Sequence, residues 1–484
     1  MYYVGINGAN HDASITVFDP VKNRIEFASH AERYSRLKND SSVVSLRDVT
    51  NCFDVEKVFW YENPLLKNIR QFTSGQHNYY SSKKEVKKLL DYSGTIYTSK
   101  HHESHAAAGF YTSDFSEAVI IIIDAIGEFD TTTIYKKTNT MEKIYSKKYP
   151  DSIGLFYSAF TQFLGLKPNE EEYILMGMAA YGNSDKYYEK IKRTFFDKDN
   201  VLKYNLHKGL QHIFVLPLEN IQDKYDIASA VQKITEEYIL TLCSLAKKLY
   251  PSNNLVLGGG VALNCVANSK ILKSGLFENV HIYPNPGDSG NSLGCILNHT
   301  KKHIEHKDMF LGYDIPPKNF DYKNALADLL DGKIIGIASG KAEFGPRAFG
   351  NRSLLCDPRL PNGKDMMNTI KKRQLFRPFA PIVLEEYYTN YFDMDRPSPY
   401  MQFVFQVNDP KKYPVISHVD NSARVQTITQ DSSSVTRKLL EMFYEKTGCA
   451  ILVNTSLNIK GQPLVNTLED AKLFSQFYNV PVYS

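Results

Sequence analysis

His101 and His105 stand four residues apart in KHHESHAAAGF, and the alanines that follow favour a helix. Positions i and i+4 share one helix face, so both imidazoles can reach one ion. Two carboxylates are placed to join them. Asp124 closes the apolar run AVIIIID at 118–124, and in an open α/β sheet ligands gather beyond the carboxyl ends of strands. Asp288 lies in NPGDSGNSLG, a glycine-flanked turn before a helical stretch. Two imidazoles with two carboxylates suit Fe(II), Mn(II) or Zn(II) better than Ca(II). Taken singly, each has a plainer reading as an exposed histidine pair, a turn aspartate or an N-cap. His11 and Asp12 in GANHDAS form a further polar pair after the first apolar run. A histidine there is either a base or a turn residue.

A second kind of chemistry is anion binding. GGGVALN at 258–264 has the order strand, glycines, helix. Glycines let the backbone approach a phosphate and a helix N-terminus favours an anion. The string is neither a Walker A motif nor G-x-G-x-x-G. Further on, KAEFGPRAFGNRS supplies Lys341, Arg347 and Arg352, KKRQLFRPFAP supplies Lys371, Arg373 and Arg377, and SARVQTI supplies Arg424. Guanidinium forks match phosphate oxygens two at a time. NTSLN at 454–458 adds hydroxyl and amide groups. A solvated basic face has the same charges. The interleaved Phe344, Phe349, Phe376 and Phe379 favour a partly buried groove. Nucleic-acid binding uses a similar mix, so composition does not choose.

The elements that must hold these residues read as α/β. YYVGI (2–6) and SITVF (14–18) are strand candidates, AVIIIID suits a strand covered on both faces, and LVLGGG (255–260) is a strand entering a glycine turn with a helix over 261–272. The polar run HTKKHIEHKD (299–308) and the Pro-Pro stretch YDIPPKNFD (313–321) read as a linker. KIIGIA (333–338) and AILVN (450–454) are strands of a block beyond it. The expected domains are therefore 1–310 and 320–484. No internal repeat is visible.

With 57 Lys and Arg against 53 Asp and Glu, the net charge of +4 gives no strong field for nucleic acid or membrane. The start MYYVGINGANHD lacks a signal-peptide pattern, and no apolar run is long enough to span a bilayer. Six scattered cysteines without a C-x-x-C pair fit reduced thiols, so the expected location is cytoplasmic.

These motifs together resemble the O-carbamoyltransferase family that includes the nodulation-factor and tobramycin carbamoyltransferases. The matching strings run in the family's order from about residue 4 to about residue 470: GANHDAS, AERYSRLKND, HHESHAAAGFY, IDAIGEFD, GLFYSAFTQFLG, MGMAAYG, GGGVALN, NPGDSGNSLG, EFGPRAFGNRS, RPFAP, HVDNSARVQT and VNTSLNIKGQPLV. The resemblance implies an actin-like, RNase H-like N-terminal domain and a smaller α/β YrdC-like C-terminal domain. It implies that ATP and carbamoyl phosphate, with Mg2+ accompanying the ATP, form a carbamoyl-adenylate in the second domain. A small-molecule hydroxyl then takes the carbamoyl group in the first domain. Fe(2+) would be held by His101, His105, Asp124 and Asp288, with His11 as the base. Gly258, Gly259, Gly260, Asn264 and Gly287 would cradle a nucleotide in the first domain. Arg347, Lys371, Arg373, Arg377, Arg424, Ser456 and Asn458 would hold carbamoyl phosphate and ATP. The sequence leaves the assembly open, with a homodimer among the options.

The chain departs from the family at Ile174, where a Lys is frequent, at Ala180 for Pro and at Phe349 for Leu. Any phosphate contact from that Lys is lost or supplied elsewhere, and the other two are packing changes. Two other functions fit parts of the same pattern. One is carbamoylation of a nucleotide or hydroxymethylated nucleic-acid base, against which the modest charge argues. The other is a non-catalytic nucleotide-binding scaffold, against which the retained His and Asp set argues.

Overall fold

The computed structural model describes residues 1–73, 79–210, 213–215, 218–305 and 308–484. Strands and helices alternate along it, a mixed α/β fold. β1 (Tyr2–Asn7), β2 (Ser14–Asp19), β3 (Arg24–His30), β4 (Val55–Trp60) and β5 (Ile96–Thr98) form a sheet of order β3-β2-β1-β4-β5. β6 (Ala118–Ile123), β7 (Asp130–Lys137), β8 (Met141–Lys148), β9 (Asn254–Gly258) and β10 (Asn279–Ile282) form another, of order β10-β9-β6-β7-β8. Counted from its own first strand, each sheet has the order three, two, one, four, five. In each, the first, fourth and fifth strands are parallel. One strand order is thus used twice, although no residue repeat is visible in the sequence.

All six residues of β6 are buried, as its unbroken apolar run requires of a strand between two neighbours. The histidine helix spans His101–Tyr111 and packs on β6, β9 and the helix Asn291–Thr300. Gly294 permits that last contact, since a Cβ there would lie 2.0 Å from the Ser104 carbonyl oxygen. The helix expected over 261–272 is shorter. Gly260–Leu263 is a 3-10 turn, and the α-helix runs Cys265–Lys273 with the Asn264 side chain as its cap. The tight path through Gly259, at φ +87°, delays helix formation until that cap.

By its contacts the chain divides into two compact units. One holds Met1–His11, Phe18–Arg24 and Arg47–Glu305, and the other holds Asp12–Val17, Ile25–Leu46 and His306–Ser484. The second unit therefore takes two early segments as well as the C-terminal block. Of the polar run 299–308, residues 306 and 307 lie outside the described residues. The stretch read as linker at 313–321 begins inside a strand. β11 (Phe310–Ile315) pairs antiparallel with β13 (Gly340–Glu343), because Tyr313 to Ile315 supply ladder groups before the Pro-Pro pair stops it.

The second unit's main sheet joins β12 (Ile335–Ala338), β14 (Arg352–Cys356), β15 (Ala380–Leu384), β18 (Gln426–Ile428), β19 (Ile451–Ser456) and β20 (Val482–Tyr483) in the order β18-β15-β19-β14-β12-β20. β16 (Val404–Gln406) and β17 (Ser422–Arg424) form a short ribbon. Among the described residues no helix is long and apolar enough to cross a membrane, and the six cysteines form no disulfide.

Candidate active site

In the first unit four donors converge. His101 Nε2 is 3.0 Å from Asp124 Oδ2 and 3.2 Å from Asp288 Oδ1. His105 Nε2 is 3.2 Å from Asp124 Oδ2, 3.4 Å from Asp288 Oδ1 and 3.1 Å from His101 Nε2. Donors about 2.0–2.2 Å from one ion stand roughly 2.8–3.6 Å from each other at ordinary bond angles. Two ring nitrogens facing at 3.1 Å with two carboxylates beside them are thus spaced as ligands of one ion. All four side chains are buried, and buried charges need partners. Burial pulls the His101 pKa down, but Asp288 and Asp124 outweigh it and hold it well above the usual histidine value. Burial pushes the Asp124 carboxyl up, and the two histidines reverse this and hold it well below the usual range.

Each aspartate gives one oxygen to the cluster and spends the other elsewhere. Asp124 Oδ1 accepts from Ala125 N at 2.8 Å and Gly260 N at 3.3 Å. Asp288 Oδ2 accepts from Asn10 Nδ2 at 2.7 Å. Such outer hydrogen bonds fix ligand orientation. His102 turns away and meets Thr133 Oγ1 at 2.8 Å. Glu128 Oε1 accepts from the backbone N–H of His101 at 3.0 Å and of Asn63 at 2.7 Å, securing the helix start. His11 is 45% exposed, with Nε2 3.9 Å from Asp288 Oδ2. It stands at the rim of the cluster. Asn10 and Glu128 were not singled out from sequence. Their neighbours His11 and Asp124 were the available signal.

The glycines of the 258–260 turn pack against β6. A Cβ on Gly259 would lie 2.2 Å from Ile123 O, and one on Gly258 2.9 Å from Ile122 Cδ1. Asn264 caps its helix and exchanges hydrogen bonds of 2.9 and 3.1 Å with Gln232. Gly287 differs, because nothing lies within 4 Å of its Cβ position.

In the second unit Lys371, Ser456 and Asn458 meet directly. Lys371 Nζ donates to Ser456 O at 2.5 Å, Ser456 Oγ at 3.1 Å and Asn458 Oδ1 at 2.6 Å. Lys371 is buried, and burial first, then Arg373, Arg377 and Lys38, hold its pKa well below the usual lysine value. Arg373 donates to Asn368 Oδ1 at 2.7 Å and lies over the Phe379 ring at 4.1 Å. Such a concentration of cations raises the local positive potential. Lys38, from the early segment Ile25–Leu46, was not anticipated. Arg347 is half-buried on the loop between β13 and β14. Glu343 Oε1 holds that loop by accepting from the N–H groups of Phe349, Asn351 and Arg352. Arg424 ends β17, with its Nε buried and without a hydrogen-bond partner. Arg352, read from sequence as part of the anion cluster, is turned inward. Its guanidinium donates to the carbonyls of Tyr313, Ser339, Gly340, Asn351 and Asn466, so it is a structural residue.

Residues 55–297 match the carbamoyltransferase N-terminus family and residues 326–481 the carbamoyltransferase C-terminus family. The Synechocystis sp. protein sll1178 is 32% identical over 97% of this chain and 93% of its own length. Nodulation protein NolO of Bradyrhizobium diazoefficiens is 32% identical over 77% of this chain and 75% of its own. The 3'-hydroxymethylcephem-O-carbamoyltransferase of Streptomyces clavuligerus is 28% identical over 80% of this chain and 78% of its own. Both halves of one enzyme are matched in order, so the chain belongs to the carbamoyltransferase family and transfers carbamoyl groups.

Proposed function

We propose that the chain is an ATP-dependent O-carbamoyltransferase acting on a small-molecule hydroxyl. The observation that carries this reading is the buried cluster of His101, His105, Asp124 and Asp288 with His11 at its rim. The named cephem relative modifies a small hydroxymethyl compound, which supports the acceptor class. The duplicated strand order of the two five-stranded sheets supports an actin-like first domain. The cation cluster around Lys371 supports a YrdC-like second domain that binds carbamoyl phosphate and ATP with Mg2+.

The donor set of the first unit fits a divalent ion such as Fe(2+), with His101, His105, Asp124 and Asp288 as the holding residues. When bound, such an ion supplies Lewis-acid polarisation of an oxygen. His11 takes the proton of the acceptor hydroxyl as its oxygen attacks the carbamoyl carbon, and AMP leaves. In the second unit Lys371, Arg373 and Arg377 offset the charge of the phosphates. ATP, carbamoyl phosphate and water give carbamoyl-adenylate, pyrophosphate and phosphate. Adenylation matters because nitrogen donation makes the carbamoyl carbon a poor electrophile.

Pyrophosphate release from purified protein, with ATP and no acceptor, tests this reading. Release that requires carbamoyl phosphate is expected. Its absence even in the presence of acceptor candidates would overturn the adenylate route.

A further inference from the structure

We propose that Asn291 is a fifth protein ligand of the ion held by His101, His105, Asp124 and Asp288, through its side-chain oxygen. The inference rests on the metal reading of that cluster. Asn291 is fully buried and opens the helix Asn291–Thr300, one short turn after Asp288 in the 3-10 segment Asp288–Gly290. Residues three apart on such a turn share a face. Asn291 therefore points where Asp288 points.

Its Nδ2 stands 3.0 Å from His105 Nε2. That distance falls within the 3.0–3.4 Å range that separates the two histidines from each other and from the carboxylates. A neutral imidazole nitrogen has either one proton or one lone pair. An ion at the cluster takes the Nε2 lone pair of His105, and an amide N–H aimed at the same spot is left with a cation before it. The other end of the carboxamide, Oδ1, is buried and has no hydrogen-bond partner. The two ends of a carboxamide have nearly the same shape. A half-turn about χ2 puts an acceptor oxygen where the nitrogen stands and forfeits no hydrogen bond of the oxygen.

The carboxylates do not remove the need for this donor. Asp124 Oδ1 is committed to Ala125 N and Gly260 N, and Asp288 Oδ2 to Asn10. Each aspartate therefore contributes one oxygen, and the histidines one nitrogen each. Asn291 raises the protein's share from four donors to five. Five donors exclude a closed tetrahedral zinc site and favour a six-coordinate ion such as Fe(II) or Mn(II), with one position left for a substrate oxygen.

The test uses full-length protein stripped of metal and reloaded with Co(II), whose visible bands strengthen as coordination number falls. Co(II) affinity is read by chelator competition in wild type, Asn291→Ala and Asn291→Asp. The Ala variant is expected to bind about 10-fold or more weakly, with stronger bands. The nearly isosteric Asp variant keeps tight binding and shifts the bands, because a carboxylate oxygen replaces an amide oxygen. Wild-type affinity and unmoved bands in the variants overturn the proposal while leaving a four-donor site intact. If Ala fails to fold, unmoved bands in Asp alone overturn it. A wild-type chain that takes up no Co(II) overturns the metal reading itself, and the fifth ligand with it.

Discussion

Gly259→Ala sets the packing role of the 258–260 turn against its expected nucleotide role. Gly259 has φ +87° and ψ 167°, a region open essentially to glycine alone. Forcing Ala there costs about 1–3 kcal/mol of backbone strain. Its Cβ would also meet Ile123 O at 2.2 Å, so the ends of β9 and β6 must part. Overpacking of that kind costs about 1–3 kcal/mol more. The sum, about 2–6 kcal/mol, lowers a melting midpoint by roughly 4–12 °C at about 2 °C per kcal/mol. The controls are graded. Gly275 has φ +67° and nothing within 4 Å, so its Ala variant pays only about 1–2 kcal/mol of conformational cost. Gly287 has φ −78° and open space around it, so Ala is tolerated by the fold. Melting curves of the three variants without added nucleotide should fall in that order. A Gly259→Ala midpoint within 2 °C (about one kcal/mol) of wild type would refute the steric argument. A Gly287→Ala variant of normal stability that binds AMP more weakly would assign the open glycine to the ligand.

Replacing Arg352 by Met should cost on the order of 3–5 kcal/mol, read as a lower urea midpoint, because five carbonyls lose a charged donor in a buried place. His11→Ala should slow carbamoyl transfer by about 10²–10⁴-fold without lowering metal content, and an unchanged rate rules it out as the base. Arg373→Ala should cut pyrophosphate release about 100-fold while the protein keeps its metal, and a normal rate removes Arg373 from the active set. His101→Ala should lose the metal and the transfer step yet still release pyrophosphate, and loss of both would break the assignment of the two steps to separate sites.

What could be read from the sequence was local. AVIIIID gave β6 and the position of Asp124 because a strand buried on both faces leaves a continuous apolar record. The i, i+4 spacing gave the shared face of His101 and His105 for a similar reason. The duplicated sheet order was hidden because strand pairing is a long-range property that leaves no repeat of residue types. Arg352 was misread because a guanidinium among glycines looks the same whether it faces phosphate or carbonyls. Residues 25–46 were placed with the first domain by sequence proximity. Arg33, however, donates to Gly345 O at 3.0 Å and Arg36 to Leu464 O at 2.9 Å, contacts between positions more than three hundred residues apart. Asn10 and Asn291 went unnoticed because asparagine is ordinary in turns and at helix starts.

The helix Asn291–Thr300 explains how separate segments of the first unit come to one point. It packs on β1 and on the histidine helix. Both contacts need glycine: a Cβ on Gly5 would lie 1.8 Å from Ser292 O, and one on Gly294 2.0 Å from Ser104 O. The first contact brings the loop after β1, with Asn10 and His11, beside Asp288. The second brings His105 beside Asn291. β6 and β9 run side by side, Ile122 opposite Gly258, so Asp124 and the glycine turn arrive together at the sheet's carboxyl edge. Backbone packing and strand register thus set in advance where these side chains stand. Such preorganisation is what a site must have if its charges are to act without first being rearranged.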